Sequence, residues 1–149
     1  MASIVLAGGG TAGHIEPALA VARVWKSSNP SDAITFLGTV QGLENTLIPA
    51  AGFSVNNIPK VRISRKPSPS WLGIPVDLVA SVKACHSLLK DADLLIGFGG
   101  YVSAPAYIAA RILGVPTIIH EANAKPGWAN RLGALFTPYL AVAHGVNTG

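Results

Sequence analysis

The sequence predicts one α/β domain with a doubly wound, mainly parallel Rossmann-like sheet and helices on both faces. Short apolar runs alternate along the whole chain with longer segments of helical periodicity, the rhythm of βαβ units. Half of the 149 residues are apolar and only 12% are charged. That balance is expected when strands are buried on both faces of a sheet and need little polar surface.

Six strands and five helices are predicted in alternation. The strand-like runs are residues 4–7, 34–37, 54–58, 94–97, 117–120 and 140–143, and the helix candidates are 17–27, 43–51, 76–90, 104–113 and 127–136. In the third helix, Leu78, Val82 and Cys85 recur at helical spacing, which indicates a buried stripe. Residues 59–75 are too long for an ordinary connection, which marks them as a functional candidate.

The composition excludes several classes of protein. A single cysteine, Cys85, allows no intrachain disulfide and suits a reducing compartment, and we expect it to be a small buried hydrophobe. We find no signal peptide and no run of about 18 uninterrupted apolar residues, so we expect a cytoplasmic protein with at most peripheral membrane contact. The net charge of +4 is too small to indicate a nucleic-acid partner.

Ligands of open α/β sheets bind at the carboxyl ends of the strands, and the first loop there is rich in glycine. It spans residues 8–14 (GGGTAGH) and precedes a helix with Pro17 expected in its first turn. Glycines let backbone N–H groups approach an anion, and a helix N-terminus adds a favourable dipole. We expect a phosphate or diphosphate ligand; the alternative is a tight turn that only packs the helix onto the strand.

The same glycines also satisfy the G-x-G-x-x-G pattern of dinucleotide-binding proteins. That pattern needs an acidic residue after the second strand to bind a ribose hydroxyl, and residues 37–41 (LGTVQ) hold none. Asp32 precedes that strand and so lies at its other end, and the pattern does not require a histidine at His14. An NAD-dependent oxidoreductase is therefore a disfavoured alternative, and we expect no saturable NAD binding.

Two further loops follow the fourth and fifth strands. In residues 97–103 (GFGGYVS), Ser103 can cap the next helix, whose early turn holds Pro105. In residues 120–131 (HEANAKPGWANR), the amide side chains suit a polyhydroxylated ligand such as a sugar. Glu121 is a candidate base, and the alternative is that it holds a backbone N–H or a neighbouring lysine.

Residues 59–75, after the third strand, contain basic residues followed by large apolar side chains. Four of the 11 basic residues lie between positions 60 and 66. Each cation near an anionic membrane contributes about 1 kcal/mol, and tryptophan prefers the interface. The predicted membrane patch consists of Arg62, Arg65, Lys66, Trp71, Leu72 and Ile74. The alternative is that the apolar residues pack inward while the cations form a solvated loop.

Together these motifs resemble the N-terminal half of the MurG family, in glycosyltransferase family 28. The resemblance rests on residues 8–22 (GGGTAGHIEPALAVA), 97–103 and 120–123 (HEAN), covers essentially the whole chain and is strongest to actinobacterial members. Ala12 departs from the glycine that many members carry. The resemblance implies an inverting enzyme of the GT-B fold. It would transfer N-acetylglucosamine from UDP-N-acetylglucosamine to the C4 hydroxyl of undecaprenyl-pyrophosphoryl-N-acetylmuramyl-pentapeptide in peptidoglycan synthesis.

The resemblance also implies roles for individual residues. His14 is the first choice of general base, because histidine titrates near neutral pH, and Glu121 is the reserve; alternatively, His14 hydrogen-bonds the diphosphate. No carboxylate cluster indicates a metal, and no cofactor is expected. The residues expected to bind the acceptor diphosphate and sugar are Gly9, Gly10, Thr11, Ala12, Gly13, Gly99, Gly100, Tyr101, Ser103, Asn123 and Asn130.

GT-B enzymes use two domains, and in this family the C-terminal one holds most of the UDP-N-acetylglucosamine. We therefore expect residues 1–149 to be an acceptor-binding domain without its donor-binding partner, by design or by truncation, and inactive alone. Its expected place is the anionic cytoplasmic face of the plasma membrane. Two alternatives stay open: an anchoring subunit of a split transferase, and a related transferase acting on a glycolipid or natural product.

Overall fold

The computed structural model describes residues 1–61 and 66–143, and the strands in these ranges form one parallel sheet. They are β1 (Ser3–Gly8), β2 (Ala33–Gly38), β3 (Ser54–Asn57), β4 (Leu94–Gly99), β5 (Thr117–Glu121) and β6 (Leu140–Val142). Their order is β3-β2-β1-β4-β5-β6, so the chain starts at the centre of the sheet and winds outward in both directions. This arrangement confirms the predicted doubly wound α/β fold.

The helices alternate with the strands as predicted, with one important shift. They are α1 (Ala12–Ser28), α2 (Glu44–Ala50), α3 (Ile74–Leu89), α4 (Ser103–Leu113) and α5 (Trp128–Gly133), with a 3-10 turn at Pro69–Gly73. Helix α1 begins five residues before the predicted start, so placing Pro17 in its first turn was wrong. Thr11, whose backbone is extended (φ −132°, ψ 155°), is the N-cap residue, and His14 therefore lies in the first helical turn.

Both faces of the sheet are packed, as alternation along β1 requires. Val5 and Ala7 point to a cluster that includes Cys85, while Ile4 and Leu6 point to a second cluster against α1. Cys85 is fully buried, and burial raises the pKa of its thiol to about 12. The expectation of a small buried hydrophobe is confirmed.

The carboxyl edge of the sheet has an irregularity where function was expected. Ala7 pairs with Gly97, but the next pair is Gly8 with Gly99, a shift of one residue in β4. Such bulges redirect the chain next to binding sites. At the opposite edge, the Asp32 carboxylate accepts hydrogen bonds from the Ala2 N–H (2.8 Å) and the Trp25 indole (2.9 Å). Asp32 therefore stabilises the amino edge.

Candidate functional site

The loops after β1, β4 and β5 meet around the ring of His14. A Cβ added to Gly100 would lie 2.5 Å from the carbonyl oxygen of Gly9, so the first two loops are in direct contact. A Cβ added to Gly99 would lie 3.3 Å from the His14 ring and 3.4 Å from Nδ2 of Asn130, so the third loop joins them. The φ angles of Gly99 and Gly100 are +98° and +86°, which favour glycine. The structure thus brings the three predicted loops together.

The hydrogen bonds of His14 determine which ring nitrogen is available. Its Nδ1 lies 3.2 Å from the carbonyl oxygen of Gly9 and 3.2 Å from the hydroxyl of Thr11. A carbonyl oxygen can only accept, so we assign the proton to Nδ1 on this geometry. In the neutral ring, Nε2 then carries the lone pair. A half-buried histidine in this tautomer has the state that a general base needs.

The anion-binding capacity of the first loop lies at the start of α1. The N–H groups of Ala12 and Gly13 precede the first intrahelical bond, and they lie at the positive end of the helix dipole. The N–H of Gly10 is already engaged, because it donates to Oε2 of Glu44 at 3.2 Å. An anion would therefore sit against the first helical turn and not against every glycine of the loop.

Glu44 is a buried carboxylate beneath this loop, and the sequence analysis did not find it. It is 0% exposed. Its Oε1 accepts hydrogen bonds from the N–H of Thr39 (2.8 Å) and from the Thr39 hydroxyl (3.1 Å), while Oε2 accepts from Gly10. This carboxylate joins the loop after β2 to the glycine-rich loop. A single glutamate in the first turn of a short helix gives no sequence signal of such a contact.

Ser103 does not cap α4, contrary to the prediction. The N-cap residue is Val102, and Ser103 is the first residue of the helix and fully buried. Its Oγ lies 2.8 Å from the carbonyl oxygen of Ala7 and 2.9 Å from that of Gly99, and it accepts the N–H of Gly99 at 3.0 Å. The hydroxyl is engaged by backbone groups of β1 and of the bulged strand β4. Ser103 therefore shapes the second loop from below.

Both carboxylate oxygens of Glu121 are likewise engaged, by hydrogen bonds from residues of the third loop. It is 2% exposed; Oε1 accepts hydrogen bonds from the N–H and Nδ2 of Asn123, and Oε2 accepts from the N–H of Gly127 and from Nδ2 of Asn130. Burial acts to raise the pKa of Glu121, but these hydrogen bonds outweigh it and hold the pKa below its usual value. The geometry corresponds to the alternative in which Glu121 holds backbone N–H groups.

The two asparagines of the third loop have different surroundings. Asn130 is 3% exposed; its Oδ1 accepts from the hydroxyl of Tyr107 at 2.7 Å, and its Nδ2 donates to Glu121 and to the carbonyl of His120. Asn123 is exposed and donates Nδ2 to Glu121 at 3.1 Å. Asn130 thus supports the loop, while Asn123 presents amide atoms to solvent.

Two clefts flank His14. The β2-side cleft is lined by the two glycine-rich loops, Thr39 and Lys60. The β5-side cleft is lined by the third loop, including Lys125 and Trp128. His14 and Tyr101 line both clefts.

Tyr101 forms the partition between the clefts. Its exposed ring lies 6.2 Å from the ring of Trp128 and 5.9 Å from Nζ of Lys60, measured to the ring centroid. The sequence analysis assigned neither Trp128 nor Lys60 to the ligand site. Within the described ranges, no group of three or more metal-ligating side chains is found.

The predicted membrane patch is described only in part, because Arg62 and Arg65 lie outside the described residues. Lys66 and Trp71 are exposed, Leu72 is 84% exposed, and Ile74 is half-buried at the start of α3. The exposed apolar surface continues along α3 through two valines, Val76 and Val79.

The helical segment Trp71–Leu89, with a mean hydropathy of 1.3, is long and apolar enough by length and composition to cross a membrane. Its residues Ser81, Cys85 and Leu89 are nevertheless fully buried, and α3 packs on α4. One face of the segment therefore belongs to the core of this domain, while the other presents apolar side chains to solvent.

Comparison with known proteins shows the family of the chain. The model of the glycosyltransferase family 28 N-terminal domain matches residues 4–145. A Streptomyces avermitilis protein is 49% identical over 142 residues, covering 94% of this chain and 39% of its own length. A protein of Acidothermus cellulolyticus is 51% identical over 142 residues, covering 94% of this chain and 38% of its own length. Both are named UDP-N-acetylglucosamine–N-acetylmuramyl-(pentapeptide) pyrophosphoryl-undecaprenol N-acetylglucosamine transferase.

Solved structures agree with the sequence relatives. Acinetobacter baumannii MurG superimposes with a TM-score of 0.81 at 30% identity, covering 97% of this chain and 41% of that one. The Streptomyces sp. SF2575 glycosyltransferase SsfS6 has a TM-score of 0.64 at 14% identity over 89% of this chain and 43% of its own, which shows the fold alone. The chain spans about two fifths of the length of the relatives it matches. The three loops converge at the carboxyl edge of one parallel sheet, and the family model matches residues 4–145, so the chain belongs to glycosyltransferase family 28.

Proposed function

We propose that this chain is the acceptor-binding half of an inverting transferase. The enzyme transfers N-acetylglucosamine from UDP-N-acetylglucosamine to the C4 hydroxyl of undecaprenyl-pyrophosphoryl-N-acetylmuramyl-pentapeptide, and a C-terminal domain binds most of the donor. The observation that carries the proposal is the contact of His14 Nδ1 with the carbonyl oxygen of Gly9 at 3.2 Å. This leaves Nε2 free as a base beside a helix N-terminus that attracts phosphate. The names of relatives at 49–51% identity supply the identity of the acceptor.

The carboxyl edge of the sheet offers one region suited to the diphosphate of the acceptor and another suited to its sugar. Its diphosphate lies at the N-terminus of α1, where N–H groups and the helix dipole favour negative charge. Its sugar contacts the exposed amide of Asn123 and the exposed ring of Trp128, both of which line the β5-side cleft. An amide donates and accepts hydrogen bonds to hydroxyls, and an aromatic ring offers an apolar face to sugar C–H groups.

The reaction follows from this placement. The C4 oxygen of the acceptor forms a bond to the anomeric carbon of the donor while the bond from that carbon to the UDP oxygen breaks. The electron pair leaves with UDP, and the hydroxyl proton passes to Nε2 of His14. Attack from the face opposite UDP inverts the anomeric carbon. Glu121 takes no proton in this scheme, because both of its oxygens already accept hydrogen bonds.

The site of action we propose is the cytoplasmic face of the plasma membrane. Lys66, Trp71 and Leu72 are exposed, and such a combination is attracted to an anionic bilayer surface. The Trp71–Leu89 segment lies on the bilayer and does not cross it, since crossing would remove Cys85 and Leu89 from the core of the domain.

Kinetics of the complete enzyme, with the donor-binding domain present, test the role of His14. We expect His14→Gln to lower kcat by a factor of roughly 10² to 10⁴, the usual contribution of a general base, with little change in KM for the acceptor. His86→Gln, at an exposed histidine of α3, is the matched control and should leave kcat unchanged. A higher KM with an unchanged kcat in His14→Gln would instead assign this residue to ground-state binding of the diphosphate.

A further inference from the structure

We propose that Lys60 binds the diphosphate of the acceptor and directs it into the β2-side cleft. This inference rests on the proposed function and adds to the diphosphate site a residue that lies outside the glycine-rich loops. Each cleft has one lysine in its lining, Lys60 on the β2 side and Lys125 on the β5 side. The position of Lys60 and the groups that line the two clefts indicate which cleft binds the diphosphate.

The two clefts differ in the groups that line them. Glu121 belongs to the lining of the β5-side cleft, whereas the described lining of the β2-side cleft contains no carboxylate. Glu44 lies below the β2-side cleft, fully buried, with its oxygens turned to Thr39 and Gly10. The β2-side cleft also contains Thr11, the N-cap residue of α1, and so borders the helix N-terminus that favours negative charge. A dianionic group is therefore favoured on the Lys60 side.

The backbone holds Lys60 in place at the cleft. Its neighbours Ile58 and Val61 are buried, and the N–H of Ile58 donates to the carbonyl of Gly38 at 2.8 Å. The hydroxyl of Ser81 donates to the carbonyl of Pro59. The segment that carries Lys60 is thus attached to both β2 and α3.

The ammonium group of Lys60 is directed at the second glycine-rich loop. Nζ lies 5.9 Å from the centroid of the Tyr101 ring, within reach of a cation–π contact. Lys60 is exposed and lines the same cleft as Gly9, Gly10 and Thr11. An exposed ammonium in this position is suited to a phosphate oxygen.

This placement gives the acceptor a direction. With the diphosphate at Lys60, the sugar extends past Tyr101 toward Trp128, and the reacting hydroxyl comes to His14, which lines both clefts. The lipid leaves from the Lys60 side. Trp71 and Leu72 of the proposed membrane patch follow Lys60 by 11 and 12 positions in the sequence.

Binding to the 149-residue chain tests the inference with two probes: inorganic pyrophosphate and a short-chain prenyl-diphosphoryl-N-acetylmuramyl-pentapeptide. We expect Lys60→Met to weaken both probes about tenfold, the scale of one hydrogen bond to a charged group, and to reduce the salt dependence of binding. Lys60→Arg should stay within about threefold of wild type. Lys125→Met is the matched control and should leave pyrophosphate affinity unchanged.

The outcomes separate the two proposals. If wild type binds both probes and Lys60→Met binds them equally well, or if Lys125→Met is the weakened variant, the assignment of Lys60 is wrong while the proposed function stands. If wild type binds pyrophosphate through Lys60 but not the prenyl acceptor, the proposed acceptor is wrong and the anion site remains. Binding of neither probe by a folded wild-type chain overturns both. Thermal unfolding of each variant verifies that the chain is folded.

Discussion

Replacing the buried carboxylate of Glu44 with an amide of the same size should destabilise the whole domain. Glu44→Gln can keep one oxygen facing the N–H and hydroxyl of Thr39, but it then presents an NH₂ group to the N–H of Gly10. Two donors cannot hydrogen-bond each other, so the N–H of Gly10 loses its partner. Glu44 is 0% exposed, so water cannot replace the lost acceptor on that side chain.

The magnitude follows from the bonds that change. One hydrogen bond to a charged acceptor contributes about 1.5–3 kcal/mol, and in Glu44→Gln an NH₂ group also faces the N–H of Gly10 as a second donor. We therefore expect a loss of about 2–3 kcal/mol in the free energy of unfolding. With a urea m-value of roughly 1–3 kcal/mol per M, the urea midpoint of unfolding should fall by about 0.7–3 M.

Urea unfolding of the 149-residue chain, followed by circular dichroism, measures this difference. Glu16→Gln removes an exposed carboxylate from α1 and should change the stability by less than about 0.5 kcal/mol. If Glu44→Gln unfolds within 0.5 kcal/mol of wild type, the carboxylate does not fix the glycine-rich loop and the account of Glu44 is wrong.

Three further outcomes are expected. Gly100→Ala, whose Cβ would lie 2.5 Å from a backbone oxygen, should lower the free energy of unfolding by about 3 kcal/mol or more. Gly114→Ala is the control: it shares a positive φ of +74° but would have nothing within 4 Å of its Cβ. Thermal unfolding of Gly114→Ala should show a loss of only about 1–2 kcal/mol. The pKa of Glu121 is lowered by folding, so its carboxylate stabilises the domain above the usual value near 4.5 and loses that effect as the pH falls through the folded pKa. The stability advantage of wild type over Glu121→Gln in urea should therefore be present at about pH 7 and shrink below about pH 4.5, and an advantage independent of pH would contradict this. Trp71→Ala/Leu72→Ala should lose at least tenfold in partitioning to anionic vesicles, with weak binding of wild type to neutral vesicles as the control; unchanged sedimentation with anionic vesicles would show that this surface does not bind the membrane.

The alternating pattern was sufficient to predict the strands and helices, since apolar periodicity and glycine-rich turns are local properties. The sequence places the start of α1 wrongly, because proline is most common in the first turn of a helix. The helix starts at Ala12 instead, where the glycine-rich turn ends, and Pro17 lies inside it. That correction moves His14 from a loop into a helix.

The strand-edge rule also located the site from sequence, because the carboxyl ends of parallel strands share one edge. The rule could not say which polar groups stay available there. Ser103, Asn130 and Glu121 carry the right chemistry in the right loops, but each satisfies buried backbone or side-chain partners. Such pairings depend on residues far apart in the chain, as with Ser103 and Ala7 at a separation of 96.

Local sequence patterns therefore specify the α/β fold, the edge on which the loops converge, and the histidine at their centre. Packing of the complete domain selects the groups that face a ligand. It engages the N–H of Gly10 with a carboxylate 34 residues away and places Lys60 beside Tyr101 at the same cleft. The physical reason is that a buried polar group must find a partner wherever the packed chain offers one, and local sequence patterns carry no record of that partner.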